Sequence, residues 1–166
     1  MTAHRVLQDI VLARTTGPVD VTGASLTLTS LDHAGRIITL SYTAAASTVT
    51  LPAATGSGAV YKFIVAAVNT QGGGLSNPGH RIQVANSTDV FEGTIHTVST
   101  GDGSGESDAW ESGASDDTIT LDGTTSGGAA IGDSIDITDY ASGKFAVRGF
   151  TTTSGTEITP FQANVS

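Results

Sequence analysis

Threonine, serine and glycine dominate this chain and limit what it can fold into. The sequence contains 26 Thr, 21 Gly and 17 Ser among its 166 residues. Thr favours strands because its branched side chain is restricted in a helix, glycine destabilises helix interiors, and Ser and Gly favour tight turns. A hydrophobic share of 38% is too high for a wholly disordered chain. The composition predicts a folded domain built from short strands.

Short segments in which apolar and polar residues alternate recur along the chain, as expected for strands with one buried face. The predicted strands are residues 19–21, 26–28, 37–40, 48–51, 61–68, 81–84, 89–92, 94–98, 118–121, 134–137 and 144–148. The segment 61–68 is the most apolar, so we expect it to be buried on both faces. About ten strands at this spacing indicate an all-β domain, an antiparallel β-sandwich or a jelly-roll-like fold. We assign residues 17–166 to this domain and residues 1–16 to an N-terminal arm.

Acidic residues are concentrated in one part of the chain. The segment 82–143 contains twelve Asp and Glu residues and no Lys or Arg, and the whole chain has a net charge of −9. Such a block is typical of a solvated surface. A net negative charge disfavours binding to nucleic acid or to an anionic membrane. Neither a secretory signal nor an apolar run of the ~20 residues that a spanning helix needs is recognisable, so we expect synthesis in a cytoplasm.

The residues that usually carry catalysis are not arranged in any known motif. Cysteine is absent, which excludes disulfides and thiolate chemistry. The four histidines, at positions 4, 33, 80 and 96, are far apart, and neither a Gly-x-Ser-x-Gly elbow nor a glycine-rich phosphate loop occurs. We therefore predict a non-enzymatic protein with no catalytic residues and no cofactor.

Calcium is the one metal for which the spacing of oxygen ligands in the sequence suggests a binding site. Asp102, Ser104 and Glu106 are two residues apart, as in a calcium loop, but Ser107 and Gly113 occupy the positions where an EF-hand needs Gly and Glu. An irregular surface site remains an alternative, and we assign no metal. Its candidate ligands are Asp102, Glu106, Asp108, Asp116 and Asp117.

Residues 99–117 form a long stretch with almost no apolar side chain except Trp110. We predict an exposed acidic Gly/Ser loop between two strands, because loops of this length are either functional or mobile. Trp110 either anchors this loop on the sheet or contacts a ligand. In the second case Asp102, Glu106, Asp108 and Trp110 would form a recognition surface.

Two groups of strand blocks resemble the β-rich virion proteins of tailed bacteriophages. The first group comprises residues 26–28, 34–40, 48–58 and 61–65, and the second comprises residues 118–125, 132–135 and 144–149. Similar small proteins of that group are head decoration (cement) proteins, and related blocks occur in head fibres and tail-associated proteins. The resemblance carries no catalytic residues.

This resemblance implies a homotrimer that is made in the host cytoplasm and binds the major capsid protein on the outer surface of the assembled head. There it would stabilise the junctions between capsomers. The arm would contact the capsid or a sister subunit through Arg5, Val6, Leu7, Ile10, Val11, Leu12 and Arg14. The alternative is a head-fibre, tail-fibre or adhesin-like module that binds a host receptor or glycan through the acidic loop.

Overall fold

A computed structural model describes residues 17–71, 79–101 and 106–165. The strands in these residues are β1 (Val19–Val21), β2 (Ser25–Thr27), β3 (Ile37–Leu40), β4 (Ser47–Thr50), β5 (Val60–Val65), β6 (His80–Gln83), β7 (Val90–Ser99), β8 (Ser107–Glu111), β9 (Thr118–Leu121), β10 (Ser134–Ala141), β11 (Lys144–Thr153) and β12 (Phe161–Gln162). One short helix, α1 (Ser30–His33), follows β2. Across the described ranges, no helix is long and apolar enough to cross a membrane.

The described strands form two sheets. The seven-stranded sheet has the order β1-β3-β5-β10-β11-β7-β8, and the five-stranded sheet has the order β12-β9-β6-β4-β2. Alternate side chains of both sheets contribute to one hydrophobic core, in which Phe63 and Ile137 come from the larger sheet and Val49 and Ile119 from the smaller. The predicted all-β architecture with two packed sheets is confirmed.

Strand direction differs from the antiparallel expectation, because both sheets are mixed. From β1 to β6 the chain alternates between the sheets, so β1, β3 and β5 lie side by side in one sheet and β2, β4 and β6 in the other. A strand that returns to its sheet after one visit to the other sheet runs in the same direction as its predecessor. Both three-strand sets are accordingly parallel.

The long parallel pair of β7 and β11 lies between β10 and the edge strand β8 of the larger sheet and aligns Val90–Ser99 with Lys144–Thr153. Gly93 lies opposite Val147 and has φ +149°, and a Cβ atom at this glycine would lie 2.0 Å from the Val147 carbonyl oxygen. The two strands can approach this closely only because residue 93 has no side chain.

Two sequence expectations about individual segments are wrong. The segment 61–68 is not a strand buried on both faces, because β5 ends at Val65 and its side chains alternate between the core and the surface. The segment 99–117 is not a continuous loop, since β8 pairs with β7 as an antiparallel hairpin within it. Four of the five side chains of β8 are exposed, so its sequence lacks the apolar alternation of a strand and resembles a loop.

Candidate functional site: the outer face of the seven-stranded sheet

One serine and one histidine are hydrogen-bonded, but no substrate can reach them. The Ser47 Oγ and His80 Nδ1 atoms are 2.8 Å apart, and His80 Nε2 lies 3.0 Å from the Ala67 carbonyl oxygen. A carbonyl oxygen only accepts, so Nε2 carries the proton and Ser47 donates to Nδ1. Both side chains are fully buried, and this burial lowers the pKa of His80. The pair holds β4 and β6 together.

Five carboxylates of the acidic block are buried, so the prediction of a solvated acidic surface is wrong for them. These residues are Asp89, Asp117, Asp122, Asp133 and Asp139. Two further acids of the block form exposed ion pairs, Glu92 with Lys144 and Asp136 with Lys62. Buried carboxylates are stable only when hydrogen bonds replace their water, so each of the five must have donors.

Asp139 shows how these carboxylates fasten loops. Its side chain points into the structure from β10 and accepts hydrogen bonds from the backbone N–H groups of Thr55, Gly56 and Ser57 at 3.1, 2.7 and 3.0 Å. The Ser57 and Thr55 hydroxyls also donate to it, at 2.6 and 3.2 Å. Burial alone would raise the pKa of Asp139, but these hydrogen bonds outweigh it and lower the pKa to about 2.

Two of the five candidate calcium ligands, Asp116 and Asp117, also hold loops. Asp117 accepts from the backbone N–H groups of Asn164 and Val165, and Asp116 accepts from that of Gly113. Among the residues that the structure describes, no group of three or more His, Cys, Asp or Glu side chains is placed to hold a metal ion.

Trp110 anchors β8 rather than standing free in a loop. It lies opposite Ile95 in the β7–β8 hairpin, packs against the core, and donates from Nε1 to the Thr97 hydroxyl at 3.0 Å. This geometry matches the first of the two interpretations of Trp110, an anchor on the sheet.

The other residues of the predicted recognition loop are not gathered around Trp110. Glu106 and Asp108 are exposed at the edge of the larger sheet, and Asp102 lies outside the described residues. The residues predicted for the arm lie outside them as well. These are Arg5, Val6, Leu7, Ile10, Val11, Leu12 and Arg14.

The two sheets present very different outer faces. The outward side chains of the five-stranded sheet are Ser, Thr and Gln, with Arg81 among them. The outward side chains of the seven-stranded sheet include five of the seven large apolar residues that are exposed in the described chain. These five are Ile37, Val60, Val98, Tyr140 and Phe150. The same face carries four of the five described basic residues, namely Arg36, Lys62, Lys144 and Arg148.

A groove of about 610 Å³ runs across this face from β3 to β11. Its walls include Ile37 and Val60, which are 42% and 43% exposed. Lys62, Asp136 and Arg148 follow one another in register along its floor, and Lys62 forms an ion pair of 3.4 Å with Asp136. The row therefore has one excess positive charge, which belongs to Arg148. No described carboxylate lies within ion-pair distance of Arg148.

A second hollow of about 370 Å³ adjoins the groove and shares Arg148 with it. Phe150 and His96, which are neighbours in the β7–β11 pair, stack there with ring centroids 5.4 Å apart and an angle of 17° between planes. Phe150 is 69% exposed. Exposed aromatic and Arg side chains of this kind commonly dominate the binding energy of interfaces.

Fold and surface together define the chain as a mixed-sheet β-sandwich with one polar outer face and one outer face that exposes large apolar side chains among charged ones. Sequence reasoning did not find the second face, because its residues come from five strands whose register cannot be read from the sequence. In comparisons with protein-family models, curated proteins and solved structures, no significant match to this chain was found.

Proposed function

We propose that the protein is a non-enzymatic decoration (cement) protein of a tailed-phage head, which binds the outer surface of the assembled shell and stabilises capsomer junctions. The observation that carries this proposal is the outer face of the seven-stranded sheet. It combines a groove, an exposed aromatic pair and a cation, Arg148, that has no ion-pair partner among the described residues.

The physical character of this face suits a protein partner. Large exposed apolar patches are rare on monomeric proteins, and those rimmed by polar groups usually mark interaction sites. Paired strands hold the backbone of this face in place, so little backbone entropy is lost when the partner binds. A homotrimer, as the resemblance implies, would multiply weak individual contacts through avidity.

The major capsid protein is the partner that the resemblance implies, and Phe150 and Arg148 are the side chains that we expect to contact it. A trimer at a capsomer junction would direct this face inward, towards the shell. The exposed acids of β8, Asp108 and Glu111, lie at the edge of the same sheet and would flank the contact.

A head-fibre, tail-fibre or adhesin-like module that binds a receptor glycan is the second candidate. The stacked pair of Phe150 and His96 favours it, because exposed aromatic faces also serve as platforms for sugar rings. Trp110 does not serve this candidate, since its indole is committed to Thr97 and the core.

Binding to empty, expanded heads assembled from the major capsid protein of the same genome tests the proposal. We expect Phe150→Ala to weaken binding at least ~30-fold, which corresponds to a hot-spot loss of about 2 kcal/mol. Ile131→Ala is the matched control, because Ile131 is 73% exposed but lies outside this face. Its binding should stay within about twofold of the wild type.

Failure of the wild-type protein to bind such heads would overturn the proposal. Glycan-array binding that is lost in Phe150→Ala and kept in Trp110→Phe would establish the second candidate instead. Equal head binding by Phe150→Ala and the wild type would show that another surface makes the contact.

A further inference from the structure

The outer edge of β8 has no neighbouring strand in the described part of the chain. Of the four strands at sheet edges, β1 and β8 belong to the larger sheet and β2 and β12 to the smaller. β1 and β2 have three residues each and β12 has two, whereas β8 has five, four of them with exposed side chains. Of these four edges, β8 is therefore the one long enough to form several consecutive backbone hydrogen bonds with a further strand.

The pairing of β8 with β7 shows which backbone groups lie on this outer edge. The Ser99 N–H group donates to the Glu106 carbonyl oxygen at 2.9 Å, and the Ser112 N–H group donates to that of Gly93 at 3.0 Å. The register between the strands has no bulge, so every second residue from 106 to 112 points its backbone groups at β7. The residues that point their N–H and C=O groups away from β7 are Ser107, Ala109 and Glu111.

The sequence of β8 contains few of the features that usually prevent an edge from pairing. It has no proline, no lysine and no bulge. Its charges are Asp108 and Glu111, and neither has a hydrogen-bond or ion-pair partner among the residues that the structure describes. Asp108 lies opposite the buried Thr97, on the inner face of the sheet, and Glu111 lies opposite Thr94, on the outer face. Each face of this edge thus carries one uncompensated carboxylate.

These two carboxylates determine which strands the edge can accept. Residues opposite each other on neighbouring strands share a face, where opposite charges stabilise the pairing and like charges destabilise it. A second copy of β8 would add its own Asp108 and Glu111 to the same edge, so pairing of the chain with itself is disfavoured. A strand with two Lys or Arg residues three positions apart would instead place one cation beside each carboxylate.

We propose that the outer edge of β8 binds an extended basic segment of another protein by strand addition. The segment would form backbone hydrogen bonds with Ser107, Ala109 and Glu111 and place Lys or Arg beside Asp108 and Glu111. This edge is separate from the groove and from Arg148, which remain available to the partner of the outer face. The inference goes beyond the proposed function and does not depend on it, because any protein with such a segment can supply the strand.

A short peptide tests strand addition on the full-length protein. The probe is a capped eight-residue peptide of threonines with two lysines three positions apart. Amide hydrogen exchange of Ala109 and Glu111, followed by nuclear magnetic resonance, should be fast in the free protein and at least about tenfold slower when the peptide saturates the edge. The control peptide has the same side chains but methylated backbone nitrogens, which keep its charge and remove its hydrogen-bond donors. It should bind at least about tenfold more weakly.

A proline on the edge separates backbone pairing from simple charge attraction. Ala109→Pro removes an outward N–H group and no hydrogen bond to β7, and edge strands tolerate proline at such positions. This variant should bind the lysine peptide at least about tenfold more weakly than the wild type. The matched control is Ala109→Thr, which keeps the N–H group and should bind within about twofold of the wild type.

Charge reversal tests the choice of partner and needs no change to the backbone. Asp108→Lys/Glu111→Lys should bind a peptide with glutamates in place of the lysines and lose at least about tenfold in affinity for the lysine peptide. Unchanged exchange of Ala109 and Glu111 with the lysine peptide, equal binding of the methylated peptide, or a charge-reversed variant that still prefers lysine would each overturn the proposal. These experiments use no phage heads, so their failure leaves the decoration proposal standing.

Discussion

Replacement of Asp139 by asparagine tests whether buried carboxylates, rather than apolar packing alone, hold the loops of this sandwich. The carboxylate accepts from three backbone N–H groups and two hydroxyls of residues 55–57. An asparagine keeps one acceptor oxygen and places an N–H₂ group where the second oxygen was. At least one buried N–H group then faces another donor and loses its partner.

The magnitude follows from the pKa of Asp139. A decrease from the ordinary 3.8 to about 2 means that ionised Asp139 contributes about 2.4 kcal/mol to the free energy of unfolding at pH 7. Because the folded pKa lies below the unfolded one, this stabilisation is complete above about pH 5 and is lost as the pH falls. It should decrease to about 1.3 kcal/mol at pH 3. We expect Asp139→Asn to cost about 2–3 kcal/mol at pH 7 and about half as much at pH 3.

Urea unfolding monitored by fluorescence of the single tryptophan, Trp110, measures both values. Asp136→Asn is the control on the same strand, because Asp136 is exposed and its ion pair with Lys62 should contribute less than ~1 kcal/mol. A loss below about 0.5 kcal/mol in Asp139→Asn at pH 7, or a loss that is the same at pH 3, would refute the reasoning.

Three further outcomes can be measured on the isolated protein. Gly93→Ala should lower the free energy of unfolding, measured in urea, by ~3 kcal/mol or more, because the new Cβ would lie 2.0 Å from the Val147 carbonyl oxygen. A decrease below about 1 kcal/mol would contradict the close approach of β7 and β11. Trp110→Phe should lower the free energy of unfolding by about 1 kcal/mol by removing the hydrogen bond to Thr97; because this variant has no tryptophan, its urea unfolding is followed by circular dichroism, and an unchanged midpoint would show that this bond contributes nothing. The urea midpoint of the wild-type protein should fall as the pH drops below 6.5, the ordinary pKa of histidine. Burial lowers the pKa of His80 in the folded state, so below this pH protonation stabilises the unfolded state more than the folded one. His80→Asn should make the urea midpoint less dependent on pH between about pH 7.5 and 5.5.

The strands were predictable where alternation was clear, and they were missed where burial was slight. Residues 118–121 and 134–137 alternate regularly between polar and apolar side chains and lie in β9 and β10. The strand β8 was missed because most of its side chains are exposed, and β12 because it has only two residues. Sequence periodicity reports a buried face, so it cannot report a strand that lacks one.

The parallel order and the candidate site depend on pairings that no local pattern records. Phe150 and His96 stack only because β7 pairs with β11, more than fifty residues away.

The buried acids were misread for a different reason, since an Asp in a Gly/Ser/Thr segment resembles a solvated turn. A signal did exist for Asp122, because the sequence Asp-Gly-Thr-Thr-Ser is typical of an Asx turn, and Asp122 indeed accepts from the Thr124 and Ser126 N–H groups.

The parallel pairing of β7 with β11, which lie far apart in the sequence, has a consequence for synthesis on the ribosome. At 5–20 residues per second, roughly 3–10 s separate the appearance of β7 from that of β11, the strand with which it pairs in parallel. During that interval β7 lacks its neighbour β11, and β5 lacks its neighbour β10 until that strand has been made. Unpaired strand edges readily pair with strands of other chains. Fast translation of residues 100–153 should therefore raise the soluble yield, whereas rare codons placed there should promote aggregation.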